Sequence, residues 1–146
     1  MIDISKFLIK ENSTIKSALH SLSYVGHDTI LFVVDEKNQL KGSISDGDIR
    51  RGLLNGLVVN DNLNLVSNKT TKFVKEGDYS INQIVEFRNN NITVFPVLDK
   101  NNIVVNIINL RFMKSYLPVD VVIMAGGKGL RLKPLTDNLP KPLLKI

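Results

Sequence analysis

The residues best suited to chemistry cluster near the C-terminal end of this 146-residue chain. Gly126, Gly127 and Gly129 follow Ala125, Arg131 stands two residues further on, and Lys141 lies between Pro140 and Pro142. Glycines at this spacing let the backbone turn and present several N–H groups to one anion. Arg131 adds a planar, permanently charged donor fork, and Lys141 adds a point charge on a backbone restrained by its flanking prolines. The shared use of these parts is to hold a polyphosphate. Gly127-Lys128 is followed by Gly129 rather than Ser or Thr, which does not fit the Walker loop. Leu132 stands where a dinucleotide fingerprint would place its third glycine.

Charge points the same way. The net charge is +5, and residues 118–146 hold Lys128, Arg131, Lys133, Lys141 and Lys145 against Asp120 and Asp137 alone. The basic excess sits on the phosphate-loop segment and forms no stripe along a helix. It suits a small phosphorylated ligand rather than a nucleic acid. Cysteine is absent, which excludes disulfides and thiolate chemistry, and with only two histidines no metal site is expected in the chain. The N-terminus is mixed in character and no run of 18 apolar residues occurs, so neither a secretory signal nor a membrane span is expected. A cytoplasmic protein fits these features.

The loop needs elements to hold it. Val119–Met124 reads as a buried strand leading into it, after a basic and then proline-broken connection at 111–118. The preceding 117 residues carry an internal repeat: Thr29-Ile-Leu-Phe-Val-Val-Asp35 aligns with Thr93-Val-Phe-Pro-Val-Leu-Asp99 at an offset of 64. In copy one, Ile15, Ala18, Leu19 and Leu22 mark one face of a helix, with Thr14 as N-cap and Gly26 as stop. In copy two, Ser80 caps a helix expected to turn Ile81, Ile84 and Val85 inward. Each copy then offers an apolar strand (29–34 and 93–98), a polar turn and a second strand (40–44 and 103–108). Ser45 opens a further helix expected to bury Ile49, Leu53 and Leu54 and to stop at Gly56. Strands apolar on both faces call for cover on both faces, so the two half-cores are expected to pack as one α+β body. His20 and His27 read as ordinary histidines, and Arg50-Arg51 as a solvated helix face.

Thr14-Ile-Lys-Ser-Ala18, Val33-Val-Asp35 and Gly42-Ser-Ile-Ser-Asp-Gly-Asp-Ile-Arg-Arg51 give residues 1–115 a resemblance to a tandem pair of cystathionine-beta-synthase-type (CBS) domains. The resemblance implies a pseudo-two-fold α+β pair, with repeat 1 at 1–60 and repeat 2 at 61–115, forming a homodimer. It also implies an adenine nucleotide in the cleft between the copies, its ribose held by Ser45 and Asp48. A carboxylate can accept from both ribose hydroxyls, and a serine hydroxyl can donate and accept. Ser-x-x-Asp at a helix start is equally the pattern of a capping box. The aligned positions of copy two are Asn109 and Phe112, and Phe112 cannot replace a carboxylate, so one such site at most is expected.

Beyond a linker at 116–118, residues 119–146 resemble the N-terminal signature of the sugar-phosphate nucleotidyltransferases, carried by Gly-Gly-x-Gly-x-Arg-Leu, Pro-Leu-Thr and Pro-Lys-Pro in order. The resemblance implies the first strand and glycine-rich loop of an α/β (Rossmann-like) domain. In it Ala125, Gly126, Gly127 and Gly129 cradle a nucleoside triphosphate, and Arg131 and Lys141 serve catalysis. The implied reaction joins the triphosphate to a sugar 1-phosphate, as in mannose-1-phosphate guanylyltransferases, with Mg²⁺ on the phosphates and its ligands further downstream. Leu130 departs from the Thr or Ser usual there. With only 22 residues after Met124, the chain is expected to be a catalytically incomplete fragment of a CBS-regulated enzyme. The competing expectation is a CBS module that senses a nucleotide or dimerises without catalysis.

Overall fold

The computed structural model describes residues 3–112, all within the first of the two units into which the chain divides, Met1–Tyr116. Each copy of the repeat folds into a three-stranded sheet and its helices. In copy one, β1 (Leu8–Lys10) leads into α1 (Ile15–Val25), and then β2 (Ile30–Val34), β3 (Leu40–Ser45) and α2 (Asp46–Leu54) follow. In copy two, β4 (Val74–Lys75), α3 (Ile81–Asn89), β5 (Val94–Leu98) and β6 (Val104–Asn109) repeat that order. The central strand of each sheet pairs parallel with the short first strand and antiparallel with the third. Register shifts at Val33/Val34 and Val97/Leu98 place an irregularity at the same point of both hairpins. The fold is therefore α+β with two small sheets. The short strands β1 and β4, which carry no periodicity of their own, were not evident from sequence.

Local chemistry explains the element ends. Thr14 and Ser80 cap α1 and α3 by accepting from Ser17 N and Gln83 N, and Gly26 ends α1 with φ 65°. Both hairpin turns close on an aspartate. Asp35 Oδ1 accepts from the amides of Lys37 and Gln39, each at 2.9 Å, and Asp99 Oδ1 from those of Asn101 and Ile103, each at 2.8 Å. Asn38 and Asn102 both take φ 61°, a left-handed conformation that asparagine tolerates better than most residues. Lys10 and Lys75 then reach over the turns to the side chains of Asn38 and Asn102.

One apolar cluster joins the copies. Phe32, Val33, Val34, Ile44 and Ile49 of copy one pack with Val94, Leu98, Val104 and Ile107 of copy two. The hairpins also meet edge to edge, where Leu40 N donates to Asn102 O and Val104 N to Asn38 O, both at 3.0 Å. Residues 59–68 return onto copy one. Ile15 N donates to Asp61 O, Leu63 is fully buried, and Ser43 and Asn68 exchange backbone hydrogen bonds.

Two expected helix faces differ from those observed. On α2, Ile49 is buried and Leu53 partly so, but Leu54 is 81% exposed. At 100° per residue Leu54 lies well round the helix from Ile49. On α3 the buried pair is Ile84 and Phe87, while Ile81 and Val85 are exposed. Ile15, which follows its N-cap as Ile81 does, is fully buried beneath the returning segment at 59–63.

Candidate functional site

Ser45 ends β3 and caps α2, so its position follows from two elements. Its hydroxyl donates to Asp48 Oδ2 at 2.6 Å and accepts from Asp48 N at 3.2 Å, while Asp48 Oδ2 accepts from Ser45 N at 2.9 Å. This is a complete capping box. The second carboxylate oxygen, Asp48 Oδ1, pairs with Arg51 at 2.6 Å, and the neighbouring Arg50 pairs with Asp46 at 2.7 Å. The two arginines therefore serve their own helix. A ligand hydroxyl arriving at Asp48 would share or displace contacts that are already made.

Ser45 also lines a pocket of about 300 Å³ between the two copies. Asp28, Thr29 and Ile30 of copy one and Asn91, Ile92, Thr93, Val94 and Arg111 of copy two complete its wall. The pocket sits where β2 and β5 begin, and the repeat symmetry is visible there: Asp46 N donates to Thr29 O, and Leu110 N to Thr93 O. Asp48 stands one hydrogen bond behind Ser45. Thr29 takes φ 43° and ψ 30°, unusual for a β-branched residue and worth on the order of 1–3 kcal/mol of backbone strain. Such strain gathers at sites where geometry serves binding.

Asn109, the counterpart of Ser45, does not face solvent. It is 2% exposed, donates from Nδ2 to Asp28 Oδ2 at 2.8 Å, and accepts at Oδ1 from Arg111 N at 3.0 Å. Arg111 Nη1 donates to His27 O at 2.8 Å and lies 3.9 Å from Asp28 Oδ1. That Oδ1 is buried and accepts no hydrogen bond among the described residues. Phe112, the counterpart of Asp48, is 73% exposed. Sequence reasoning passed over Asp28 and Arg111. Their repeat counterparts are Ile92 and Gly47, so a charge in one copy where the other has none was the available signal. Ala125, Gly126, Gly127, Gly129, Arg131 and Lys141 lie outside the described residues. Among the described residues no helix is long and apolar enough to cross a membrane.

Comparison with known proteins separates the two parts of the chain. Residues 3–55 match the CBS domain family, and residues 120–146 match the nucleotidyl transferase family. A 28-residue stretch is 57% identical to the bifunctional protein GlmU of Methanococcus aeolicus, covering 19% of this chain and 7% of that protein. The chain thus spans only a small part of the curated relative that it matches. Among solved structures, the CBS domain protein PAE2072 from Pyrobaculum aerophilum, complexed with AMP, superposes with a TM-score of 0.61. The match covers 73% of this chain and 84% of that one at 19% identity. The CBS domain pair of protein MJ0100, in complex with 5'-methylthioadenosine and S-adenosyl-L-methionine, gives 0.59 over 72% of this chain and 82% of that one at 23% identity. At these identities the likeness is one of fold, and the fold is that of a CBS-domain pair.

Proposed function

We propose that the CBS pair is an adenine-nucleotide-sensing module attached to the phosphate loop of a sugar-1-phosphate nucleotidyltransferase. The observation that carries the sensing half is the pocket between the copies, with Ser45 in its wall and Asp48 one hydrogen bond behind it. The two solved CBS proteins above hold AMP in one case and 5'-methylthioadenosine with S-adenosyl-L-methionine in the other, which supports an adenosine-type ligand here. Ribose hydroxyls would bond to Ser45 and Asp48, exchanging the internal Ser45–Asp48 contact for contacts with the ligand. Titration calorimetry of the 146-residue chain with AMP, ADP and ATP tests this. Heat of binding that is lost in Asp48→Ala, with folding intact, is the expected result; no heat with any of the three would sink the reading.

The catalytic half rests on the family match at 120–146 and on the residue chemistry of Ala125 to Lys141. There the backbone amides at Gly126, Gly127 and Gly129 would hold the triphosphate, and Arg131 and Lys141 would neutralise charge as the sugar 1-phosphate attacks the α-phosphorus. Bound Mg²⁺ would supply further charge neutralisation on the phosphates. Among the described residues no group of three or more His, Cys, Asp or Glu could hold a metal ion. Pyrophosphate release by a chain carrying a complete catalytic domain checks the assignment. Arg131→Lys and Lys141→Ala should both be slow, and a wild-type rate in Lys141→Ala would remove its main support. The second reading, a sensing or dimerising module without catalysis, is favoured by the CBS-pair fold shared with PAE2072 and MJ0100, which covers about seven-tenths of the chain. The homodimer that the CBS resemblance implies would be detected by sedimentation.

A further inference from the structure

The start of α3 in copy two presents a surface whose equivalent in copy one is covered. In copy one the segment at 58–64 lies over the N-terminus of α1. Its carbonyls at Val59 and Asp61 accept from Lys16 N at 2.7 Å and Ile15 N at 2.9 Å, and Leu63 N donates to Ser13 O at 3.1 Å. Asn64 Nδ2 donates to Glu11 O at 2.8 Å, and the Leu63 side chain is fully buried in the same apolar cluster as Ile15. The segment thus supplies both acceptors for the unpaired first amides of the helix and apolar cover for Ile15.

Matching hydrogen bonds fix the correspondence in copy two. Glu76 N donates to Leu98 O and Asp78 N to Lys75 O, as Glu11 N does to Val34 O and Ser13 N to Lys10 O. Gln83 N donates to the cap Ser80 as Ser17 N does to the cap Thr14. One residue, Tyr79, is added between the turn and the cap. Neither Ile81 N nor Asn82 N has a hydrogen-bond partner among the described residues. Ile81 is 45% exposed where Ile15 is 0%, and Val85, one turn on along the same face, is exposed too. A pocket of about 420 Å³ opens at this point, lined by Gly77, Asp78, Tyr79, Ser80 and Gln83. It shares no lining residue with the pocket that holds Ser45.

From this we infer that the pocket at the start of α3 is a docking groove for a peptide segment of another protein, with the chemistry that residues 58–64 bring to α1. Two backbone carbonyls of the partner accept from Ile81 N and Asn82 N, and a leucine-type side chain covers Ile81. Main-chain bonds supply affinity in such docking and the side-chain seat supplies specificity. A small anion could meet the amides, but it would leave Ile81 and Val85 in water and face the carboxylate of Asp78 in the groove wall. Tyr79 gives the wall an aromatic ring with a polar tip, a side chain enriched at protein interfaces.

The probe is a synthetic peptide with the sequence of residues 57–65, Leu-Val-Val-Asn-Asp-Asn-Leu-Asn-Leu, added to the ¹⁵N-labelled 146-residue chain. Saturable amide shifts centred on 77–85 are expected. A peptide with Ser in place of the leucine equivalent to Leu63 should bind about tenfold more weakly or worse, the scale of one lost buried apolar side chain. Ile81→Ser should weaken the unaltered peptide similarly while its thermal unfolding matches wild type. No saturable shift, shifts centred elsewhere, or equal affinity for the two peptides overturns the groove. Shifts at 77–85 that grow with protein concentration alone make the occupant a second copy of the chain and overturn the separate partner.

Discussion

Asp35 illustrates how much a single side chain does in this fold. Burial pushes its carboxyl up, but the Gln39 amide, the Lys41 ammonium and the Lys37 amide more than reverse this and hold it below the usual carboxylate range. A lowered folded-state value means stability that is fully present above the unfolded carboxylate range and lost as pH falls through the lowered one. Asp35→Asn keeps an acceptor for the turn amides but cannot titrate. Its unfolding free energy should therefore fall less steeply on acidification than that of wild type, as urea melts across the acidic range would measure. Ser45 separates two roles in the same way. Ser45→Ala removes the N-cap of α2 and should cost about 1 kcal/mol of stability. Under the sensing reading it should also weaken nucleotide binding beyond what that destabilisation explains. The cap was legible from Ser-x-x-Asp; its bond geometry and the presence of Asp28 beside it were not, since Asp28 reaches Asn109 across 81 residues of chain.

At the scale of elements, helices carry the clearest consequences. Gly52 is buried in α2, and a methyl at its Cα would overlap Val66 Cγ1 and crowd Leu57 Cδ1 at 3.2 Å. Gly52→Ala gains helix propensity of about 1 kcal/mol, yet overpacking of this kind costs typically 1–3 kcal/mol. Because the overlapping group is a short branched side chain, net destabilisation is expected, and thermal unfolding decides it. On α3, Ile84→Ala should cost about 2–5 kcal/mol as a buried truncation. Ile81→Ser, at an exposed position, should stay within about 0.5 kcal/mol. A cost for Ile81→Ser as large as that for Ile84→Ala would show that this face is covered in solution. The helical period located α3 and its cap. It could not say which apolar residues are covered, because cover comes from another part of the chain.

For the described residues as a whole, the shared core predicts that the two copies unfold together. Leu98, 1% exposed, belongs to the cluster that holds Phe32, Val33 and Val34, although these strands lie in different sheets. Leu98→Ala should cost about 2–5 kcal/mol. It should also speed amide exchange at 31–34 as much as at 94–97, as expected of one cooperative unit. Acceleration confined to copy two would mean that the copies are stable separately.

By itself, the sequence determined the repeat, the strand–turn–strand hairpins with their Asp and Asn turn residues, and the helix caps. These are local: each depends on residues a few positions apart, and hydrophobic period, turn chemistry and capping are written at that range. Tertiary structure decided the short first strands, the returning segment at 59–68, the unequal burial of Ile15 and Ile81, and the carboxylate at the wall of the pocket. Each of these depends on which distant residue arrives opposite. Asp28 is an unremarkable surface-type residue in the sequence and becomes a buried acceptor only when Asn109 and Arg111 of the second copy close over it.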